Sequence, residues 1–332
     1  MAPTPVGLPM TADRTPPLPT MRLMGRVCIS FVLDSVKIGR GGHDLIDALI
    51  LLAIVQSNIA PLARDADLQR TYATYDEPPP DEIRRPVSMN AIAHSLRFPY
   101  ETVRRRVSQL ASQGECEITR RGVYVPAVAL ATPEHLATLE ASYELVRNLY
   151  WRLREIGGLG ELPAPTTPWA GEGNGGAAPL RLVARHSSDY FLRVMEGLRQ
   201  RVGGLVEGLI LMDILRANTE HLTDLDRGTE EDGARGFVPD EQRRAVRVTA
   251  LAARLDLPEE TVRRHVAQLI KEERCVRWPE GIVVPTYLMV RPQVAGMLRD
   301  NLIALHRMFT ALAQLGILEE WDRQRPSPPS GA

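Results

Sequence analysis

The feature that most constrains this chain is an internal duplication. Residues 87–126 and 246–285 align without a gap at a constant shift of 159, and 17 of the 40 positions are identical. At its centre PYETVRRRVSQL stands over PEETVRRHVAQL, and Cys116, Gly122 and Pro126 fall on Cys275, Gly281 and Pro285. The match runs on to Pro133 over Pro292 and Gly157 over Gly316. Upstream, LIDALILLAIVQSN from Leu45 stands over LVEGLILMDILRAN from Leu205, and Arg22 and Leu23 over Arg181 and Leu182. Solenoid repeats have periods of roughly 20–50 residues, so this is a duplicated domain.

The duplication sets the expected organisation: a disordered N-terminus over 1–21, unit 1 over 22–157, a flexible linker over 158–180, unit 2 over 181–316 and a C-terminal tail over 317–332. The spacer GLGELPAPTTPWAGEGNGGAAP has the Gly, Pro and Thr content of a linker, and the last ten residues, RQRPSPPSGA, that of a disordered tail. Two loops join the apolar segment to the repeat core, DEPPPDEIRRP in unit 1 and the charged RGTEEDGARGFVPDEQRR in unit 2.

Net charge is -1 over 332 residues, so affinity for a polyanion has to come from a local cluster of cations. Lys37 and Lys271 are the only lysines; the other basic residues are Arg, which suits bidentate contact with guanine or phosphate. Three cysteines without a CxxC pair exclude a disulfide framework. The Pro- and Thr-rich N-terminus lacks the apolar stretch of a signal peptide, and the apolar run from Leu45 to Val55 is shorter than the ~20 residues that span a bilayer. A cytoplasmic, nucleoid-associated protein with no membrane contact is expected.

Within each unit a helix (22–38, 181–201) leads to a pair of glycines and then to a helix that is apolar nearly all round (44–58, 205–218), which must be buried in the unit or in a subunit interface. Asn90 and Thr249 are the expected N-caps of the next short helix. A tight turn (Arg97-Phe98-Pro99, Asp256-Leu257-Pro258) opens a second helix over 100–112 and 259–271, whose core stripes are Val103, Val107, Leu110 and Val262, Val266, Leu269. A ribbon follows, 116–119 with 123–125 and 275–278 with 282–284, turning at Gly122 and Gly281, where glycine supplies positive φ. A long amphipathic helix closes each unit (133–156, 292–315). The fold class expected is mainly α with small β wings.

Helix, tight turn, helix and two-stranded ribbon is the order of a winged helix-turn-helix. LAARLDLPEETVRRHVAQL and LRFPYETVRRRVSQL resemble bacterial winged-helix regulators of the GntR, IclR and MarR kinds, over about 40 residues per unit. The resemblance implies two tandem winged helix-turn-helix domains with flanking long helices, and a transcriptional regulator whose second helix enters the major groove of double-stranded DNA. Carried over by position, the candidate DNA-binding residues are Tyr100, Glu101, Thr102, Arg104 and Arg105 in unit 1, and Glu259, Glu260, Thr261, Arg263 and Arg264 in unit 2. Arg120 and Arg121 at the first wing tip would reach a flanking phosphate or the minor groove. Because Val103 and Val107 point inward, Arg104 and Arg105 must point outward, and an exposed Arg pair at one helical position in both copies is more than a solvated face. Arg104 and Arg263 suit guanine; Thr102 and Thr261 suit phosphate.

The copies differ in charge. Residues 87–126 hold six Arg against three Glu, a net of +3; residues 246–285 hold six Arg and one Lys against six acids, a net of +1. The second wing tip is Pro-Glu-Gly. Unit 1 is therefore expected to grip DNA more strongly, and unit 2 to read a different half-site or hold a protein partner. Two further readings stay open: a plasmid-type replication initiator, and a winged-helix adaptor that joins proteins without touching DNA. A homodimer through the apolar helices 44–58 and 205–218 is expected.

No residue pattern indicates an enzyme, a cofactor or a metal. His265 replaces Arg106 on the recognition helix and reads as an exposed polar residue. Asp47 and Glu207 recur within the apolar helices, where pairing with an Arg or exposure is expected. Cys116 and Cys275 read as small buried hydrophobes, a redox sensor being the lesser alternative. Tyr143, Tyr150, Trp151 and Phe309 read as core or interface, with an effector pocket the lesser alternative. GEGNGG at 171–176 is a linker feature, since neither a strand nor Lys-Ser/Thr accompanies it.

Overall fold

The two units share a core order of elements, two helices, a helix pair, a β ribbon and a long closing helix, in the computed structural model, which describes residues 16–76, 78–169, 177–222 and 237–325. Unit 1 comprises α1 (Leu18–Gly39), α2 (Leu45–Asn58), the short α3 (Ala66–Thr71), α4 (Met89–Leu96), α5 (Tyr100–Ser112), the antiparallel pair β1 (Glu117–Thr119) and β2 (Gly122–Tyr124), and α6 (Pro133–Glu155). Unit 2 comprises α7 (Leu180–Val202), α8 (Leu205–Thr219), α9 (Val248–Leu255), α10 (Glu259–Lys271), the pair β3 (Val276–Trp278) and β4 (Gly281–Val283), α11 (Thr286–Met289), α12 (Pro292–Gln314) and a terminal α13 (Ile317–Gln324). The protein is mainly helical, with two small antiparallel sheets.

The two units are fused rather than strung together. Helices α1, α6, α7 and α12 form one shared bundle: α1 packs on α6 and α7 on α12 within the units, while α6 packs on α7 and α1 on α12 between them. The opening helices also cross over, α1 onto α8 and α7 onto α2. Each unit thus does to the other what the other does to it, the reciprocity of an isologous two-fold interface. Phe31 meets its own counterpart Tyr190 with ring centroids 5.8 Å apart, and Tyr150 meets its counterpart Phe309 at 5.6 Å. Equivalent side chains that touch mark the approximate dyad.

The cross-over explains why α2 and α8 are apolar all round. No residue of 45–58 or 205–219 is exposed. Their hydrophobic character, which raised the expectation of a homodimer through 44–58 and 205–218, is accounted for within one chain.

Several boundaries depart from the sequence reading. The caps are two residues earlier than Asn90 and Thr249. Ser88 caps α4 through its hydroxyl, which accepts from the Ala91 amide at 3.1 Å, and Arg247 precedes α9 without a side-chain cap. Both helices thus start directly from the single β-bridge that joins Val87 to Val123 and Val246 to Ile282, leaving Asn90 and Thr249 inside the first turn. Helix α1 begins at Leu18 and buries Met21, so the chain is ordered before residue 22; residues 1–15 lie outside the described residues.

The spacer is docked along its first half. Leu159 and Trp169 are buried, and the Thr166 amide donates to the Gln314 carbonyl at 3.0 Å. Gly316, at φ 79°, lies under that strap, where a Cβ would come within 2.6 Å of the Trp169 nitrogen. Its glycine-rich part, 171–176, lies outside the described residues. The tail is likewise shorter than expected, because 317–324 form α13. Trp321 is fully buried there, donates to the Tyr143 hydroxyl at 2.6 Å and packs on Tyr143 and Tyr150. The aromatic cluster read from the sequence is therefore closed by a ring from the segment taken for tail. No single helix among the described residues is long and apolar enough to cross a membrane.

Candidate nucleic-acid interface

The helix pairs α4–α5 and α9–α10 are built alike. Arg97 and Asp256 take the left-handed conformation, at φ 50° and 49°, and end the first helix. The Phe98 and Leu257 amides then close the turn on the Ala93 and Ala252 carbonyls at 3.1 and 3.0 Å. Pro99 and Pro258 launch the second helix. Val103, Val107 and Leu110 are buried, as are Val262, Val266 and Leu269, so the opposite face of each second helix is turned to solvent.

On that face Tyr100, Glu101, Arg104 and Arg105 are exposed in unit 1 and Thr102 is half-buried. In unit 2 Glu259, Glu260, Arg263 and Arg264 are exposed and Thr261 is half-buried. The arginines are not equally free. Glu101 accepts from Arg104 at 2.7 and 2.9 Å, and this bond, with the carboxylate's charge, holds the guanidinium pKa above its ordinary value. Arg263 is held by two acids, Glu259 at 2.5 Å and Glu260 at 3.1 Å. Arg105 and Arg264 have no hydrogen-bond or ion-pair partner among the described residues. Arg120 and Arg121 stand exposed on the β1–β2 turn, where the Thr119 hydroxyl accepts from the Arg121 amide at 3.1 Å. Their counterparts, Pro279 and Glu280, are exposed as well. Gly122 and Gly281 follow; a Cβ on either would lie 2.5 Å from the Val87 or Val246 carbonyl, so the ribbon packs against the bridge strand only with glycine there.

The side chains that position this face form a set the sequence reading did not assemble. Arg106 bonds Asp47 at 2.9 Å and also Asp44, the N-cap of α2, tying α5 to α2. Burial opposes the Arg106 charge, but the two acids outweigh it and raise its pKa; burial and the neighbouring Asp44 raise that of Asp47. In unit 2 the same place holds His265 Nδ1 and Glu207 Oε1, 2.8 Å apart. The expectation that Asp47 pairs with an Arg is met; His265 is half-buried and engaged rather than exposed.

Asn58 and Asn218, both fully buried, clamp the ribbons. Asn58 donates to the Arg85 and Val123 carbonyls at 2.8 and 3.2 Å and accepts from the Val125 amide at 3.0 Å. Asn218 repeats this with Arg244, Ile282 and Val284 at 2.7, 3.1 and 2.9 Å. Beside them, Asp81 takes the Ala127 amide and an ion pair from buried Arg84, as Asp240 takes the Thr286 amide and Arg243. The signal was legible: PDEIRR at 80–85 stands over PDEQRR at 239–244 at the same shift of 159.

The turn of unit 2 is also braced by unit 1. Arg40, at the end of α1, donates to the Leu255 carbonyl at 2.9 Å and pairs with Asp256 at 3.0 Å. On α7, the Glu196 carboxyl is held below its usual range by bonds from Arg199 and Gln200, with the charge of Arg97 adding to them.

Cys116 and Cys275 are buried free thiols, and burial pushes them up to about 11 and about 12, so neither presents a thiolate. Among the described residues no three His, Cys, Asp or Glu side chains converge as a metal site. No family model, no curated protein and no solved structure matches this chain.

Proposed function

We propose that this chain is a sequence-specific DNA-binding transcriptional regulator, with two winged helix-turn-helix units and with α5 and α10 as the recognition helices. The observation that carries the reading is the outward Arg pair that follows a half-buried Thr, present on both copies of a helix fixed from behind by Val, Val and Leu. A guanidinium on the first turns of an exposed helix can reach guanine O6 and N7 in a major groove, and its neighbour a phosphate. Arg105 and Arg264 are free to do so at once. Arg104 and Arg263 exchange an intramolecular carboxylate for DNA, and Arg263 has two to leave. Together with exposed Arg120 and Arg121 this makes unit 1 the stronger grip.

The test is fluorescence anisotropy with duplex DNA across a salt series. A DNA reader loses affinity linearly in log salt, with a slope of roughly -0.9 per phosphate neutralised. Replacing Arg104 and Arg105 by Ala is expected to weaken binding more than replacing Arg263 and Arg264. Flat or absent salt dependence would remove the reading.

The double restraint on Arg263 and the Pro279-Glu280 wing tip favour a second role for unit 2, as the contact for a protein partner. Binding that survives loss of Arg263 and Arg264 but fails to reproduce regulation in a reporter assay would support it.

A further inference from the structure

We infer that one chain acts as a built-in dimer: its DNA site is an inverted repeat of two unlike half-sites, filled by a single molecule. The inference rests on the DNA-binding reading above and adds the orientation, spacing and stoichiometry of the site.

The argument starts from symmetry. A tandem repeat joined by a free linker sets no relation between its two heads, and such heads tolerate half-sites in any orientation that the linker can span. Here the relation is fixed. The reciprocal contacts of α1 with α8 and α7 with α2, and of α6 with α7 and α1 with α12, are those of a two-fold and not of a head-to-tail stack. In a stack one face of each unit meets a different face of the next, and no contact is returned.

Phe31 against Tyr190 and Tyr150 against Phe309 place two pairs of equivalent side chains at the axis. Both pairs lie in the bundle, and the recognition helices do not: α5 packs on α4, α2 and β1 of its own unit, and α10 on α9 and α8 of its own. The dyad therefore relates two outward recognition faces across a rigid centre. Arg40 on Leu255 and Asp256 carries that rigidity from α1 of one unit to the reading turn of the other.

A protein two-fold imposes a two-fold on the duplex it reads, with half-site centres about 10–10.5 base pairs apart or a multiple of that. The symmetry is broken only in chemistry. Tyr100 and Glu259, Arg106 and His265, and Arg120-Arg121 and Pro279-Glu280 occupy equivalent places, so the half-sites differ in sequence while keeping inverted orientation. A symmetric palindrome would mismatch one unit.

The experiment uses the full chain. Bound sequences are selected from a random duplex pool; the recovered site is then remade with one half-site reversed and, separately, with the spacing changed by about five base pairs. Affinity is read by anisotropy and the mass of the complex by native mass spectrometry. Two dissimilar motifs in inverted orientation are expected, with one chain per duplex and a fall of 10-fold or more on reversing one motif or changing the spacing. A direct repeat, indifference to reversal, or two chains on one site overturns the inference and leaves the DNA-binding reading standing. Absence of salt-dependent binding to any duplex overturns the DNA-binding reading, and the inference with it.

Discussion

Tyr150 packs on Phe309, the residue that occupies its own position in the other copy, with ring centroids 5.6 Å apart. Neither unit owns that contact. Phe309 is fully buried, and truncating a buried Phe costs about 3–5 kcal/mol. Because the cavity opens in the shared bundle, Phe309→Ala is expected to destabilise both units equally. Native-state hydrogen exchange checks this: protection of Val107 in α5 and of Val266 in α10 should fall together. A fall confined to unit 2 would show that the units unfold separately.

Asn58 and Asn218 each make three hydrogen bonds from a fully buried amide. Replacement by Ala strands the buried Val125 or Val284 amide, while the Val123 and Ile282 carbonyls keep their bridge bonds from Val87 and Val246, so a cost of about 1–3 kcal/mol is expected. Asn58→Ala should loosen the β1–β2 ribbon from α2, seen as lost exchange protection at Val125, while Asn218→Ala does the same for the β3–β4 ribbon at Val284. Asn58→Asp is expected to be nearly as damaging, since a carboxylate keeps the acceptor and loses both donors.

Arg106 with Asp47 and His265 with Glu207 are two solutions to one problem, holding α5 or α10 at a fixed angle to the helix behind it. The Asp47 side chain is 10 % exposed, so Arg106→Ala leaves a nearly buried carboxylate unpaired. A loss of about 2–3 kcal/mol is expected, partly restored by adding Asp47→Ala. His265→Arg should be tolerated in unit 2, because it recreates the unit 1 pair. A double-mutant cycle by urea denaturation measures both; no coupling between 106 and 47 would mean the pair only decorates the surface.

The elements inside each unit were legible because hydrophobic period, Pro and Gly all point the same way. The Val103, Val107 and Leu110 stripe gave α5 to the residue, and Gly122 gave the ribbon turn. Relations between the units were hidden. Nothing in the all-round apolarity of α2 says that α7 of the other unit covers it. Nor does the Gly- and Pro-rich spacer announce that Trp169 and Leu159 dock. Trp321 carries no such signal, because ILEEWDRQ is charged on one face and lies next to a Pro-rich end. For the candidate interface, periodicity showed which way Arg104 and Arg105 point; their unequal engagement depends on rotamers that spacing does not fix. The clamp residues were missed for another reason. Asn58 ends an apolar helix, where an Asn reads as a stop signal, although PDEIRR over PDEQRR had already marked the loop it holds.

Two histidines at the junction of the units give the last prediction. Burial, then the Arg181 guanidinium, push His135 down to about 4; burial, then Arg185, do the same to His186, whose Nε2 lies 3.2 Å from Gln69 Oε1. The unfolded chain takes up these protons near the ordinary value of about 6.5. Above that pH both states hold the imidazoles neutral and stability is full. As pH falls from about 6.5 toward 4 the unfolded state gains protons that the folded state refuses, and stability drops, by on the order of 3 kcal/mol for each histidine. Below the folded values the loss from this source stops. Thermal melts of the parent chain and of His186→Gln across that window separate this from carboxylate titration: the variant should match the parent near pH 7 and lose less Tm on acidification. Identical slopes would show that the His186 site accepts its proton without cost.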